Sequence, residues 1–218
     1  MTKQQKILIF LVLSITFYIL SRIAAYWFAD TLYTKAKGFN RSNSPAEAEK
    51  LLLSAIKISS HEPYYHLELS ESYTKLSFPE KAIEESQKAI DLSPNNINLR
   101  RAQFSMYIRL SLIDPKYLLP AVSVLEEAIK MAPTDAKLFY NLALAYVRIG
   151  QEDKAVSIMQ KTIDLKPNYK EARLAYAFFL IEKKEYQQAR DQMNYILEKI
   201  DPADSLTKQT LEEIVPAQ

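Results

Sequence analysis

The hydrophobic pattern divides the chain into an N-terminal apolar run and a long amphipathic remainder. Residues 7–28 are apolar all round and hold a single charge, Arg22. An α-helix over this run is about 33 Å long, which is enough to cross the hydrocarbon core of a bilayer. Arg22 lies near its end, where the long stem reaches the headgroups, and Tyr26 and Trp27 suit the interface. Residues 1–28 are therefore predicted to form a membrane anchor helix.

Two other interpretations of this run remain open. A cleaved signal peptide needs small residues before its cleavage site, and no convincing A-x-A motif precedes Asp30. A buried core helix would carry its apolar residues on one side. Basic residues flank both ends of the run, so the positive-inside rule predicts no orientation. We expect a single-pass membrane location with the side of the remaining chain undecided.

Beyond residue 28 the pattern changes to paired amphipathic helices that recur about every 34 residues. Leu138, Leu142 and Tyr146 illustrate the three- and four-residue spacing that marks one face of a helix. A column of alanines recurs at steps of 34, 39, 34 and 34 residues, at Ala48, Ala82, Ala121, Ala155 and Ala189. The period predicts five helical hairpins, at residues 29–62, 63–96, 97–135, 136–169 and 170–203. Residues 204–218 are predicted to form a capping helix and a tail.

The residues within each hairpin resemble the tetratricopeptide repeat (TPR) family, which places large, small and proline residues at fixed positions. Repeat 136–169 carries the signature at Phe139, Leu142, Ala143, Tyr146, Ala155, Met159 and Pro167. The resemblance implies an all-α fold, a right-handed helical-hairpin solenoid of five repeats preceded by one transmembrane helix. Because one hairpin cannot bury its apolar face alone, the repeats are expected to stack. No linker separates Phe28 from the first repeat, so the anchor helix is expected to run directly into it.

Repeat 97–135 departs from this pattern. It is five residues longer than the others, with an insert at residues 112–120, and Phe104 occupies a position where a small residue is usual. We expect a locally splayed helix pair there. The insert has two open interpretations, a tolerated surface elaboration or a binding loop.

Composition then removes several function classes. The 28 Lys and Arg residues nearly balance 26 Asp and Glu, which argues against a nucleic-acid partner. The chain has no cysteine, two glycines and two histidines, and it lacks the phosphate-loop, zinc-protease and nucleophile-elbow motifs. No catalytic residue, metal site or cofactor is therefore predicted, and the chain is not expected to be an enzyme.

The resemblance implies a concave groove lined by the first helix of each repeat. The candidate partner-binding residues on it are Tyr33, Lys37, Arg41, Tyr64, Lys75, Arg101, Arg109, Tyr140, Asn141 and Arg148. Position 13 is basic in four of the five repeats, and we expect this basic ladder to hold an extended, acidic or carboxylate-ended protein segment. In the competing interpretation the ladder is merely solvated. The Lys and Asn set with which chaperone-binding members clamp a carboxylate is incomplete here, so that function is not carried over.

These observations predict a membrane-anchored scaffold for protein–protein interaction in a bacterial envelope assembly. The alternative is the C-terminal regulatory or docking portion of an O-antigen ligase-like glycan-transfer enzyme with several membrane helices. Residues 28–42, 61–73 and 113–137 are similar to the tail of such proteins. In that case catalysis would lie in helices outside this chain. A soluble peptide-binding co-chaperone is a third hypothesis, which the apolar run and the incomplete clamp disfavour.

Overall fold

The chain is built from α-helices joined by short turns. A computed structural model describes residues 2–214, so Met1 and the tail predicted at residues 215–218 lie outside the described part. The helices are α1 (Lys3–Arg41), α2 (Pro45–Ile58), α3 (Pro63–Lys75), α4 (Pro79–Leu92), α5 (Ile97–Leu110), α6 (Leu118–Met131), α7 (Ala136–Arg148), α8 (Glu152–Leu165), α9 (Lys170–Glu182), α10 (Tyr186–Tyr195) and α11 (Ser205–Ile214). A 3-10 turn (Pro115–Tyr117) precedes α6, and a π-helical turn (Ile196–Ile200) follows α10. The residues divide into two compact units between Leu110 and Ser111.

Helix α1 combines the apolar run and the first helix of the first repeat in one uninterrupted element of 39 residues. It starts at a capping box, where the Thr2 hydroxyl accepts a hydrogen bond from the Gln5 N–H and the Gln5 side chain accepts one from the Thr2 N–H. Within residues 2–214 it is the one helix long and apolar enough to cross a membrane, and its apolar window is fully exposed. Packing begins abruptly at Ala29, which is completely buried.

Unit 1 consists of the hairpins α1–α2 and α3–α4 followed by α5. Each helix packs against the next one along the chain, because short turns make consecutive helices antiparallel neighbours. Helices α1, α3 and α5 also contact one another in sequence. We call the first helix of a repeat its A helix and the second its B helix. The three A helices of unit 1 thus form one continuous face.

Small residues allow the helices of each hairpin to approach closely. All five residues of the alanine column, Ala48, Ala82, Ala121, Ala155 and Ala189, have no exposed surface. On the facing A helices, Ala36, Ala143 and Ala177 are equally buried, and Ser70 takes the same position in α3. The Ser70 hydroxyl donates a hydrogen bond to the Ala82 carbonyl at 2.8 Å, which satisfies a polar group in the contact. Close backbone approach therefore recurs from repeat to repeat.

Each regular repeat ends its A helix in the same turn. The second residue after the helix has a left-handed backbone, with φ of 59° at Asn43, 60° at Ser77, 72° at Gly150 and 63° at Lys184. The next N–H then bonds a carbonyl of the last helical turn, for example Phe78 N–H to Tyr73 O at 2.9 Å. Glycine adopts this conformation freely, whereas the other side chains meet a steric cost of about 1–2 kcal/mol. Packing of the flanking helices offsets that cost.

Unit 2 contains the insert and helices α6 to α11. In the insert, the Asp114 carboxylate caps the 3-10 turn by accepting a hydrogen bond from the Lys116 N–H. Met159, Tyr176, Leu180 and Met193 lie at the centre of the apolar core. The final helix α11 covers the segment predicted to cap the array, and its Leu211 and Ile214 pack against this core.

Replacing Ala155 by Leu tests the close helix contact. The larger side chain has no free volume at this fully buried position, so we expect a loss of about 1–3 kcal/mol in the free energy of unfolding. Denaturant unfolding of the detergent-solubilised protein followed by circular dichroism measures it. The matched control is Ala46→Leu on an exposed helical position. Equal stability of the two variants would contradict the close-contact explanation.

Candidate functional site on the A-helix face

The structure places the candidate binding residues on four A helices in two separate units. In unit 1, α1 carries Tyr33, Lys37 and Arg41, α3 carries Tyr64 and Lys75, and α5 carries Arg101 and Arg109. In unit 2, α7 carries Tyr140, Asn141 and Arg148. Seven of the ten residues therefore lie on the continuous A-helix face of unit 1, and that face is the main candidate site.

Two members of the basic ladder share one acidic partner in unit 1. The Arg109 guanidinium makes a bidentate ion pair with Glu71. Its Nη1 donates a hydrogen bond to Glu71 Oε1 at 3.0 Å, and its Nη2 pairs with Oε2. Lys75 Nζ lies 3.7 Å from the same Oε1 atom. Bidentate pairing with a carboxylate is the geometry that arginine prefers. Glu71 thus occupies the position on Arg109 that a carboxylate of a ligand would take.

A buried amide connects this ion-pair cluster to α1. Asn40 is 2% exposed, and its Nδ2 donates hydrogen bonds to Glu68 Oε1 at 2.8 Å and to Ser72 Oγ at 3.0 Å. Lys75 Nζ donates to the Asn40 carbonyl at 2.5 Å. Sequence reasoning did not single out Asn40 or Ser72. The sequence signal that could have identified Asn40 is a polar residue near the end of an A helix, on the side that packs against its neighbours.

A small cavity of about 230 Å³ opens between α3 and α5 beside the cluster. Its lining mixes apolar and charged side chains: Leu67, Glu68, Ser70, Glu71, Ala102, Met106 and Arg109. A volume of this size holds one or two side chains of an extended peptide and not a drug-sized ligand. The cavity therefore offers a side-chain pocket next to a carboxylate-binding guanidinium.

The candidate tyrosines contribute to packing as well as to the surface. Tyr33 stacks on Tyr65 with ring centroids 5.3 Å apart, and burial raises the pKa of both phenols. Lys37 Nζ lies 5.7 Å from the centroid of the Tyr33 ring, within cation–π range. The Tyr64 hydroxyl accepts a hydrogen bond from Asn96 Nδ2 at 3.0 Å. Tyr33 is thus partly a core residue, and Tyr64 remains the more accessible of the two.

The remaining charged candidates differ in their surroundings. Arg41 lies exposed at the end of α1, and Arg101 donates a hydrogen bond to Asn98 Oδ1 at 3.2 Å. In unit 2, Arg148 is exposed, Asn141 is half-buried, and Tyr140 stacks on Tyr169 at 5.2 Å. Leu144 and Phe178 expose 37% and 39% of their surfaces on the A helices of this unit. The unit 2 candidates therefore lie on or beside A helices that expose large apolar side chains.

His66 lies buried between α3 and α4. Its Nδ1 is 2.6 Å from Glu85 Oε2, and its Nε2 is 3.2 Å from the Ser60 carbonyl oxygen. The hydrogen bond to Glu85 raises the pKa of His66 against the opposing effect of burial, and the Ser60 carbonyl adds to the rise. Burial would raise the pKa of Glu85, but hydrogen bonds from His66 and Lys88 outweigh it and lower that pKa. Because both ring nitrogens face acceptors, a protonated ring satisfies both of them and links the turn between α2 and α3, through Ser60, to α4.

Within residues 2–214 no group of three or more His, Asp or Glu side chains could hold a metal ion. The described site therefore consists of hydrogen-bonding groups, paired charges and apolar side chains.

Helical hairpins with small residues at the crossings of the regular repeats define a helical repeat protein. The sequence profile of the tetratricopeptide repeat family matches residues 26–202. The chain belongs to this family, whose repeats serve as scaffolds for protein–protein interaction.

Solved structures show the same fold at low sequence identity. MamA from Desulfovibrio magneticus RS-1 superposes with a TM-score of 0.64 at 23% identity, covering 82% of this chain and 98% of that one. PilF from Pseudomonas aeruginosa gives 0.62 at 19% identity, with 91% and 95% covered. YrrB, described as a TPR protein with an unusual peptide-binding site, gives 0.61 at 15% identity, with 83% and 90% covered.

No curated protein matches the chain. The looser likeness to the tail of O-antigen ligase-like proteins gains no support from the family match or these structures, and it stays a hypothesis.

Replacing His66 by Gln tests whether protonation of the ring stabilises the fold. A raised His66 pKa stabilises the fold fully below the ordinary value of 6.5 and progressively less as pH rises through the folded value. The lowered pKa of Glu85 contributes only above its ordinary value of 4.5. We expect the difference in Tm between wild type and variant to be largest between these values and to shrink toward alkaline pH.

Thermal unfolding of the solubilised protein at a series of pH values measures this difference. His61→Gln, at an exposed ring in the turn before α3, is the matched control. A Tm difference that stays constant as pH rises would show that the buried ring carries no proton-linked stabilisation.

Proposed function

We propose that this protein is a single-pass membrane scaffold of a bacterial envelope assembly, whose unit 1 A-helix face holds an extended acidic segment of a partner. The observation that carries the anchoring is the apolar stretch of α1, which has a mean hydropathy of 2.3 and no buried residue in its most apolar window. An apolar helix without a protein partner is stable in lipid and unstable in water.

The carboxylate preference rests on Arg109 and Lys75. Both are paired with Glu71, so a ligand carboxylate binds by displacing Glu71 from Arg109 and not by meeting a bare cation. The cavity between α3 and α5 would then receive a neighbouring side chain of the ligand. This arrangement combines one charge-specific contact with one shape-specific contact, which is how extended peptides are recognised.

The uninterrupted α1 also fits the second candidate, the C-terminal portion of a glycan-transfer enzyme with several membrane helices. A final membrane helix that continues directly into a TPR array has this same form. Further membrane helices encoded in the upstream reading frame would favour this candidate. A start codon at Met1 with no such helices would favour the scaffold.

Membrane extraction tests the anchor. We expect the full-length protein to remain in the membrane pellet after washes with high salt and alkaline carbonate, and to be released by detergent, because α1 spans the bilayer. Intact-mass measurement of the extracted protein should include residues 7–28. Recovery in the soluble fraction as a product shortened before Asp30 would identify a signal peptide instead.

Affinity capture with the detergent-extracted full-length protein tests the face. We expect at least one reproducible partner to be lost on Arg109→Gln, because the bidentate carboxylate contact disappears. The same partner should be retained more strongly by Glu71→Gln, which frees Arg109 and Lys75. Lys50→Glu on the exposed side of α2 is the charge-changing control. A partner list unaffected by Arg109→Gln and Glu71→Gln would refute the basic ladder as a binding surface.

A further inference from the structure

We propose that the turn between α2 and α3, residues 59–62, lies in the headgroup layer of the membrane that α1 crosses, so that one edge of unit 1 rests on the bilayer. The inference depends on the proposed anchoring by α1 and adds a second, peripheral contact with the same membrane. It follows from where packing begins along α1.

The length of the apolar run sets the depth of α1. Residues 7–28 span about 33 Å as a helix, close to the hydrocarbon thickness of about 30 Å, so the lipid boundary falls near Phe28. The headgroup layer on each side is about 5–7 Å deep, which corresponds to about four further residues of helix. Ala29 to Leu32 therefore lie among the headgroups.

Helices α2 and α3 already pack against α1 at that depth. Ala29 is completely buried and packs in one cluster with Ala55 of α2 and Tyr65 of α3. Ala55 precedes the turn in α2, and Tyr65 follows it in α3. Within residues 2–28, Ala25 alone is not fully exposed. There is no spacer between the bilayer and the first repeat.

The direction of α2 brings the turn closer to the bilayer. Helix α2 runs antiparallel to α1, so its chain approaches the membrane toward Ile58, about 4.5 Å beyond Ala55 along the helix. The turn continues from there before α3 leaves in the opposite direction. Its depth therefore equals that of residues 26–29, at the boundary where the hydrocarbon meets the headgroups.

The chemistry of the turn fits a polar interface. Ser60 and His61 are exposed and share a hydrogen bond of 3.2 Å between Ser60 Oγ and His61 Nδ1. Lys57 is exposed one turn earlier, and Glu62 is half-buried. These groups hydrogen-bond readily with lipid phosphate and ester oxygens, whereas a near-neutral turn gains little from anionic lipid. The tether through α1, and not net charge, holds the turn at the surface.

Spin labels on single cysteines test the proposal, because the chain contains no native cysteine. The full-length protein carries a nitroxide at Ser14→Cys, Lys57→Cys, His61→Cys or Glu47→Cys, in phosphatidylcholine vesicles at high lipid-to-protein ratio. Glu47 is the matched control for Lys57, since both are exposed on α2 and lie about 15 Å apart along it. Accessibility to a water-soluble nickel chelate and to oxygen is measured at each site.

We expect the chelate accessibility at positions 57 and 61 to be at least about threefold lower than at position 47, because the headgroup layer excludes the chelate. Ser14 should be accessible to oxygen and not to the chelate. Equal chelate accessibility at 47, 57 and 61, with Ser14 in lipid, would overturn the edge contact and leave the anchoring intact. A water-exposed Ser14 would refute the anchoring itself. Protection at 57 and 61 that disappears on dilution with lipid would identify a second copy as the contact and overturn the proposal.

Discussion

The fold depends on the close approach of paired helices at small side chains. Each member of the alanine column is completely buried, and the matching positions on the A helices are alanine or serine wherever the repeat is regular. Small side chains at such crossings let the backbones approach closely, so dispersion and apolar burial are gained along the hairpin. Everything else in the repeat, including the direction in which the A helices point their outer side chains, follows from this contact.

On the A-helix face of unit 1, the basic side chains are already paired with acidic and polar groups of the protein itself. Asn40, Ser72 and Lys75 tie α1 to α3, and Glu71 ties α3 to α5 through Arg109. The same hydrogen bonds that align the A helices therefore keep the basic side chains occupied. Because exposed ion pairs contribute little net stability, the proposed exchange of Glu71 for a ligand carboxylate would be nearly balanced for the protein, and selectivity would rest on the adjoining cavity.

The sequence was a good guide where one residue type answers one steric demand. The alanine column gave the period, the hairpins and the family, and the apolar run marked the exposed part of α1. The left-handed turns were less visible, because only Gly150 and Asn43 among the four residues are of types that favour this conformation, whereas the helices on either side hold Ser77 and Lys184 in it. The pairing of Glu71 with Arg109 was also invisible, since it joins side chains 38 positions apart on different helices, whereas the contact of Glu71 with Lys75 lies within α3 at the i,i+4 spacing. Periodicity identifies faces, but it does not say which charges on a face neutralise one another.

Because α1 has no break, its apolar run and the first A helix of unit 1 form one continuous helix. Thirteen residues of this helix lie beyond Phe28, a length of about 20 Å, and they form the first A helix of unit 1. An apolar helix longer than the local hydrocarbon thickness tilts to keep its side chains in lipid. A change in tilt of about 10° would move the far end of this segment by about 3–4 Å, the size of a side-chain contact. With α1 anchored in the membrane as proposed, bilayer thickness would set the position of Asn40 and of the polar cluster that begins there.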